Sequence, residues 1–106
     1  MSLIDIMWKL VNYSIPLAND DFETYLTKDG TITEEGINLW KDAIKAIREA
    51  YSKLDKGDKQ SSFKLLSQAL EKLNSIKSNK PLPPDAKVRF EEVKNDVSKA
   101  IELLKS

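Results

Sequence analysis

The amino-acid sequence predicts an all-α fold: a compact bundle of three long antiparallel helices with an N-terminal helical hairpin packed on it, four to five helices in all. Three long segments carry apolar residues at alternating spacings of three and four, which is the period of an α-helix. A stretch around Gly57 and a proline-rich stretch between Ser78 and Pro84 separate these segments. The 106 residues suffice for one hydrophobic core, so we expect a single domain with residues 1–33 forming the hairpin and residues 34–106 forming the three-helix core.

The N-terminal segment is apolar around most of a helical circumference. Only Asp5, Lys9 and Asn12 interrupt its apolar residues, which are Leu3, Ile4, Ile6, Met7, Trp8, Leu10, Val11 and Tyr13. A helix of this kind needs cover on two or three sides. We expect Pro16 to end it and Asn19 to cap a short helical turn that leads to the Lys28-Asp29-Gly30 turn.

The first long helix is predicted over residues 34–54. Thr33 is a favourable N-cap residue, and Glu34 and Glu35 then lie in the first turn, where the helix dipole favours negative charge. The apolar stripe of this helix is Ile37, Trp40, Ile44, Ile47, Tyr51 and Leu54. Gly57 supplies the left-handed residue that ends it.

Two further helices of similar length follow. The second is predicted over residues 58–78, with Asp58 as its N-cap and an apolar stripe of Phe63, Leu66, Leu70 and Leu73. The third is predicted over residues 84–105, because Pro84 suits the first position of a helix. Its apolar face is Ala86, Phe90, Val93, Val97, Ala100, Ile101 and Leu104.

Composition excludes most familiar active sites. The chain has no Cys and no His, which removes thiolate nucleophiles, imidazole acids or bases and zinc sites built on those residues. The adjacent acidic pairs, Asp20-Asp21, Glu34-Glu35 and Glu91-Glu92, point about 100° apart on a helix and do not converge on one atom, so we expect them at the solvated surface. We therefore expect no catalytic residues, no metal ligands and no cofactor.

Residues 28–35, Lys-Asp-Gly-Thr-Ile-Thr-Glu-Glu, resemble the second half of an EF-hand calcium loop entering its exit helix. The resemblance implies that Asp29 would be a ligand and that Ile32 would dock into the core. The positions that should carry the first, third and last ligands are Tyr25, Thr27 and Gly36, and calcium needs six to eight oxygen ligands. The segment therefore favours a tight Asp-Gly turn followed by a Thr33-capped helix.

Charge is unevenly distributed although the formal net charge is zero. Residues 1–36 hold two lysines against seven acidic residues, whereas residues 56–80 hold six lysines against two. The second long helix is therefore basic, and nucleic-acid backbone contact is an alternative function. Its candidate residues are Lys56, Lys64, Lys72 and Lys80.

The preferred prediction is a non-catalytic protein-interaction or accessory module, such as an adaptor, an inhibitor or an assembly subunit. The apolar excess of the N-terminal helix is buried either in its own bundle or against another chain, which could be a second copy or a different protein. The candidate partner interface is Ile4, Met7, Trp8, Val11 and Val88. No segment is apolar enough to span a membrane and no secretory signal is evident, so we expect a cytoplasmic protein.

Overall fold

The computed structural model describes residues 2–106, with the backbone alone for Tyr25, and forms an all-α bundle. A helix over residues 3–26, here called the N-terminal helix, consists of α1 (Leu3–Lys9), a π-helical turn (Leu10–Ser14), α2 (Ile15–Asp21) and a second π-helical turn (Phe22–Leu26). Three longer helices follow: α3 (Glu34–Asp55), α4 (Lys59–Ser75) and α5 (Pro84–Lys105). Among the described residues, no helix is long and apolar enough to cross a membrane.

The predicted helix boundaries are confirmed at most ends. Thr33 caps α3, since its Oγ1 accepts a hydrogen bond from the backbone N–H of Gly36 at 3.1 Å. Asp58 caps α4 through the backbone N–H of Ser61 at 3.0 Å. Gly57 has a φ of 83°, which explains the glycine at the sharp turn between α3 and α4.

Helix α4 ends three residues earlier than predicted, because the residues that follow it pair with the loop that precedes α3. Ile76 is already extended, and an isolated antiparallel bridge joins Ile32 to Ser78. The backbone N–H of Asn79 donates to the carbonyl of Thr31 at 2.8 Å. These bonds compensate the backbone groups that a longer α4 would have paired within the helix.

The prediction of an N-terminal hairpin broken at Pro16 is wrong, because the helix continues through this residue. A proline ring clashes with the carbonyl four residues earlier, here that of Asn12, and a wider turn relieves such a clash. The π-helical turn provides that width just before Pro16, where the backbone N–H of Ile15 donates to the carbonyl of Leu10. Asn19 accordingly lies inside the helix rather than at a cap.

The N-terminal helix completes a four-helix arrangement. It lies along α5 over most of its length and contacts α3 near its first π-helical turn. Phe22 stacks on Trp40 of α3, with ring centroids 4.3 Å apart, and meets the edge of Phe90 of α5 at 5.6 Å. The indole N–H of Trp40 donates to Asn19 Oδ1 at 2.9 Å. One aromatic cluster thus joins three helices, which confirms the predicted all-α bundle.

Candidate interaction surface

An exposed strip runs along the outward side of the N-terminal helix. Each helical turn contributes one or two exposed residues, and the apolar members of the strip are Ile4, Trp8, Tyr13 and Leu17, with between 41% and 58% of each side chain's surface exposed. Together they expose on the order of 400 Å² of mainly apolar surface, which matches the largest apolar patch on a typical monomer, and such patches are often functional. We call these four residues the apolar strip.

The structure separates the predicted interface residues into three groups. Ile4 and Trp8 lie one turn apart on the exposed side of the helix, and their role in a partner interface stays a prediction. Val11 is half-buried and packs against the core. Met7 is fully buried, so its assignment to a partner interface is wrong: it faces the bundle and forms part of the core.

Val88 is 65% exposed and lies on α5. Its neighbour Arg89 is paired with Asp21, which places Val88 level with the C-terminal part of the N-terminal helix. Thirteen residues of helix separate Asp21 from Trp8, which corresponds to about 20 Å. Val88 therefore does not join Ile4 and Trp8 in one patch.

Two charged clusters fix the side of the N-terminal helix that faces α5, and neither was predicted. The Arg89 guanidinium donates two hydrogen bonds to the buried Asp21 carboxylate, at 2.6 and 2.8 Å. A pair of this geometry is the strongest form of side-chain hydrogen bonding between charged groups. Our expectation that Asp21 lies at the solvated surface is therefore wrong.

The second cluster lies around the buried carboxylate of Asp96. Its Oδ2 accepts hydrogen bonds from the Lys9 ammonium and the Ser14 hydroxyl, each at 3.0 Å, and Lys9 also pairs with Glu92 at 2.7 Å. Desolvation lowers the pKa of Lys9, but the hydrogen bonds and charges of Glu92 and Asp96 outweigh it and raise that pKa above its ordinary value of 10.5. Lys9 thus keeps its charge and holds the helix in one orientation.

The predicted basic residues of the second long helix do not converge. Lys56 lies before α4 and Lys80 lies after it, so the 17 residues of that helix separate them by about 25 Å. Lys64 is exposed and Lys72 is half-buried. The ammonium of Lys80 lies 3.8 Å from the Asp29 carboxylate, which offsets its charge.

A basic surface that the sequence reading missed lies on α3. Lys41, Lys45 and Arg48 follow one another at spacings of four and three and line a shallow groove of about 330 Å³ against the N-terminal helix. Asn19, Glu23 and Ile44 complete the lining of this groove. Within the part of the chain that the structure describes, none of the three cations has a carboxylate within 4.0 Å. We call these three residues the α3 cations.

The segment that resembles a calcium loop forms a tight turn. Gly30 has a φ of 78°, and Asp29 Oδ1 accepts the backbone N–H of Thr31 at 2.9 Å. Hydrogen bonds from the side chain and the backbone N–H of Thr31 lower the pKa of the Asp29 carboxyl, with a smaller contribution from Lys80. Ile32 is buried in the core as predicted. Over residues 2–106, the structure brings no three His, Cys, Asp or Glu side chains together as a metal site.

Comparison with known proteins finds no matching family model, no matching curated protein and no matching solved structure. Two surfaces of the described residues, the apolar strip and the α3 cations, therefore carry the structural signs of function.

Proposed function

We propose that this protein is a non-catalytic interaction module that binds another protein chain through the outward side of its N-terminal helix. The observation that carries the proposal is the apolar strip, which remains exposed after the helix has buried Ile6, Met7 and Leu10. Aromatic residues are enriched among those that dominate binding energy, and Trp8 and Tyr13 are the two most exposed members of the strip.

The support of the strip by a rigid scaffold favours a binding role. The clusters around Asp21 and Asp96 tie the opposite side of the helix to α5, so the strip is presented in one orientation before any partner arrives. Preorganisation of this kind reduces the entropy lost on association. The absence of His and Cys from the sequence is consistent with a role that needs neither a thiolate nucleophile nor an imidazole base.

Site-specific photo-crosslinking tests the proposal. A photo-reactive phenylalanine analogue replaces Trp8 in one variant and the exposed Gln68 of α4 in a matched control. In cells that naturally make the protein, we expect a discrete cross-linked species from position 8 that is absent from position 68. A second substitution, Leu17→Ser, is expected to weaken that cross-link strongly. Equal labelling from both positions, or none from position 8, would contradict the proposal.

Nucleic-acid binding through Lys56, Lys64, Lys72 and Lys80 stays an alternative prediction. Their separation over both ends of α4 disfavours a continuous phosphate contact. Binding to duplex or single-stranded nucleic acid is expected to weaken steeply between low and physiological salt if phosphates are contacted. Absence of binding at low salt would dismiss this alternative.

A further inference from the structure

We infer that the partner is a second copy of this chain, docked face to face on the surface that the N-terminal helix and α3 share. The inference rests on the proposed function and names the partner for the same strip. Its basis is that the groove between these two helices carries charges of both signs that are not paired with each other, which makes it complementary to itself, and that the apolar strip lies on the same N-terminal helix.

The charges of this face are divided between its two helices. Asp20 and Glu23 are exposed on the N-terminal helix, and neither has a cation within 4.0 Å among residues 2–106. The α3 cations lie on the opposite side of the groove that Glu23 also lines. Lys9, the lysine of the N-terminal helix, is turned toward α5 and occupied by Glu92 and Asp96. Among the residues that line the groove, the N-terminal helix therefore contributes an acid and α3 contributes cations, while the exposed acids Asp42 and Glu49 of α3 lie outside the lining.

Two-fold symmetry brings these opposite charges together. A symmetric dimer uses the same surface on both copies, so residues of one helix meet residues of the other helix in the partner. When the two-fold axis runs parallel to the groove, the N-terminal helix of each copy lies over α3 of the other copy, and each residue keeps its height along that axis. Glu23 lines the same groove as Lys41 and Lys45 and therefore lies at about the same height as these lysines. The acids of one copy then come beside the cations of the other, twice per dimer.

The size of the face suits a dimer. The N-terminal helix covers residues 3–26 and spans about 36 Å, and two packed helices are about 20 Å wide, which gives at most roughly 700 Å² per copy, because α3 contacts this helix chiefly near Leu10–Ser14. A standard stable interface covers about 800 Å² per partner. Within this area, the apolar strip would supply the part shielded from water, and the charges would set the register.

Charge reversal in the full-length chain tests the inference, read by sedimentation equilibrium from low micromolar to submillimolar concentration at physiological salt. We expect the wild-type chain to reach twice its 12.0 kDa monomer mass. Glu23→Lys and Lys45→Glu, each alone, are expected to weaken dimerisation about ten- to a hundredfold, because like charges then face each other across the interface. Glu71→Lys on α4 is the matched control, with the same change of charge outside the face and wild-type affinity expected.

An equimolar mixture of the Glu23→Lys and Lys45→Glu chains is the decisive arm. In the mixed dimer, the lysine introduced at position 23 meets the glutamate introduced at position 45, while the native Lys45 of the first chain meets the native Glu23 of the second. We therefore expect the mixture to dimerise about as tightly as the wild type. Far-ultraviolet circular dichroism of each variant checks that the helical fold is intact.

Three outcomes would overturn the inference. They are a wild-type chain that remains monomeric throughout, a dimer that neither reversal weakens, and single variants that the mixture fails to rescue. Photo-crosslinking at position 8 separates this inference from the proposed function. A cross-link to a different protein, together with a monomeric chain, would exclude the second copy and leave the interaction module standing, whereas no cross-link at all would contradict both.

Discussion

Truncation of Phe22 to alanine tests whether the N-terminal helix is part of the core. The ring is about 1% exposed and contacts Trp40 and Phe90, so it links the N-terminal helix to both α3 and α5. Removal of a buried phenylalanine costs about 3–5 kcal/mol, of which the aromatic pairs account for roughly 1 kcal/mol. A chain of this length has an unfolding free energy of about 5–15 kcal/mol, so the loss is a large share of the total.

Urea denaturation followed by circular dichroism measures this loss. For a slope of about 1.5 kcal/mol per molar, Phe22→Ala is expected to lower the midpoint by about 2–3 M. Phe22→Leu keeps most of the volume and is expected to cost less than half as much. The exposed Gln68→Ala serves as the control, with a change within about 0.5 kcal/mol. A midpoint shift below about 0.5 M for Phe22→Ala, at an unchanged slope, would refute the docking of the N-terminal helix on the aromatic cluster.

Three further predictions concern local contacts. Gly36→Ala is expected to lower the free energy of unfolding, measured by urea denaturation, by about 1–2 kcal/mol. A Cβ at this position would lie 2.7 Å from Ile32 Cγ2, and this overlap outweighs the gain in helix propensity. A stabilised variant would contradict that packing. Hydrogen bonds from Ser61 lower the pKa of Asp58, so its contribution to stability is present above the ordinary carboxyl pKa of 3.8 and is lost as pH falls through the lowered folded-state value. The stability advantage of the wild type over Asp58→Asn is therefore expected to disappear in acid, and an advantage independent of pH would contradict the assignment. The pKa of Lys9 is raised on folding, so its contribution to stability is present below pH 10.5 and is lost as pH rises through the higher folded-state value. Lys9→Met is expected to lower the free energy of unfolding by about 1–3 kcal/mol at neutral pH, and this difference is expected to shrink in strong alkali. A difference that does not depend on pH would contradict the ion pairs with Glu92 and Asp96.

Local signals in the sequence predicted those parts of the fold that local physics determines. The stripes of α3, α4 and α5, the caps Thr33 and Asp58, and the left-handed Gly57 each depend on residues within a few positions of one another. The path through Pro16 was not predicted because the usual rule weighs only the missing N–H and the ring clash. A π-helical turn absorbs both, and the surrounding core contacts of Leu10 and Ile15 compensate its wider geometry.

The ion pairs between the N-terminal helix and α5 could not be predicted from the sequence for a different reason. Asp21 and Arg89 are 68 positions apart, and Lys9 and Asp96 are 87 apart, so no spacing rule connects them. The α3 cations did leave a signal, since their spacings of four and three place them on one side of a helix. The net charge of residues 37–55 does not show that signal, because their four basic residues are nearly balanced by Asp42, Glu49 and Asp55.

The charges around the N-terminal helix are arranged differently on the side that faces α5 and on the side that faces α3. Between the N-terminal helix and α5, the buried acids Asp21 and Asp96 are each paired with a cation, which contributes little net stability. These pairs make other orientations of the helix costly, since rotation would separate Asp21 from Arg89 and leave the Asp96 carboxylate buried without Lys9. Toward α3, Glu23 and the α3 cations share a groove without forming an ion pair within 4.0 Å over residues 2–106. If Glu23 and the α3 cations served only to stabilise the bundle, we would expect them to form direct ion pairs across the groove. The side that keeps its charges apart is the side on which charges from another chain can still be accommodated.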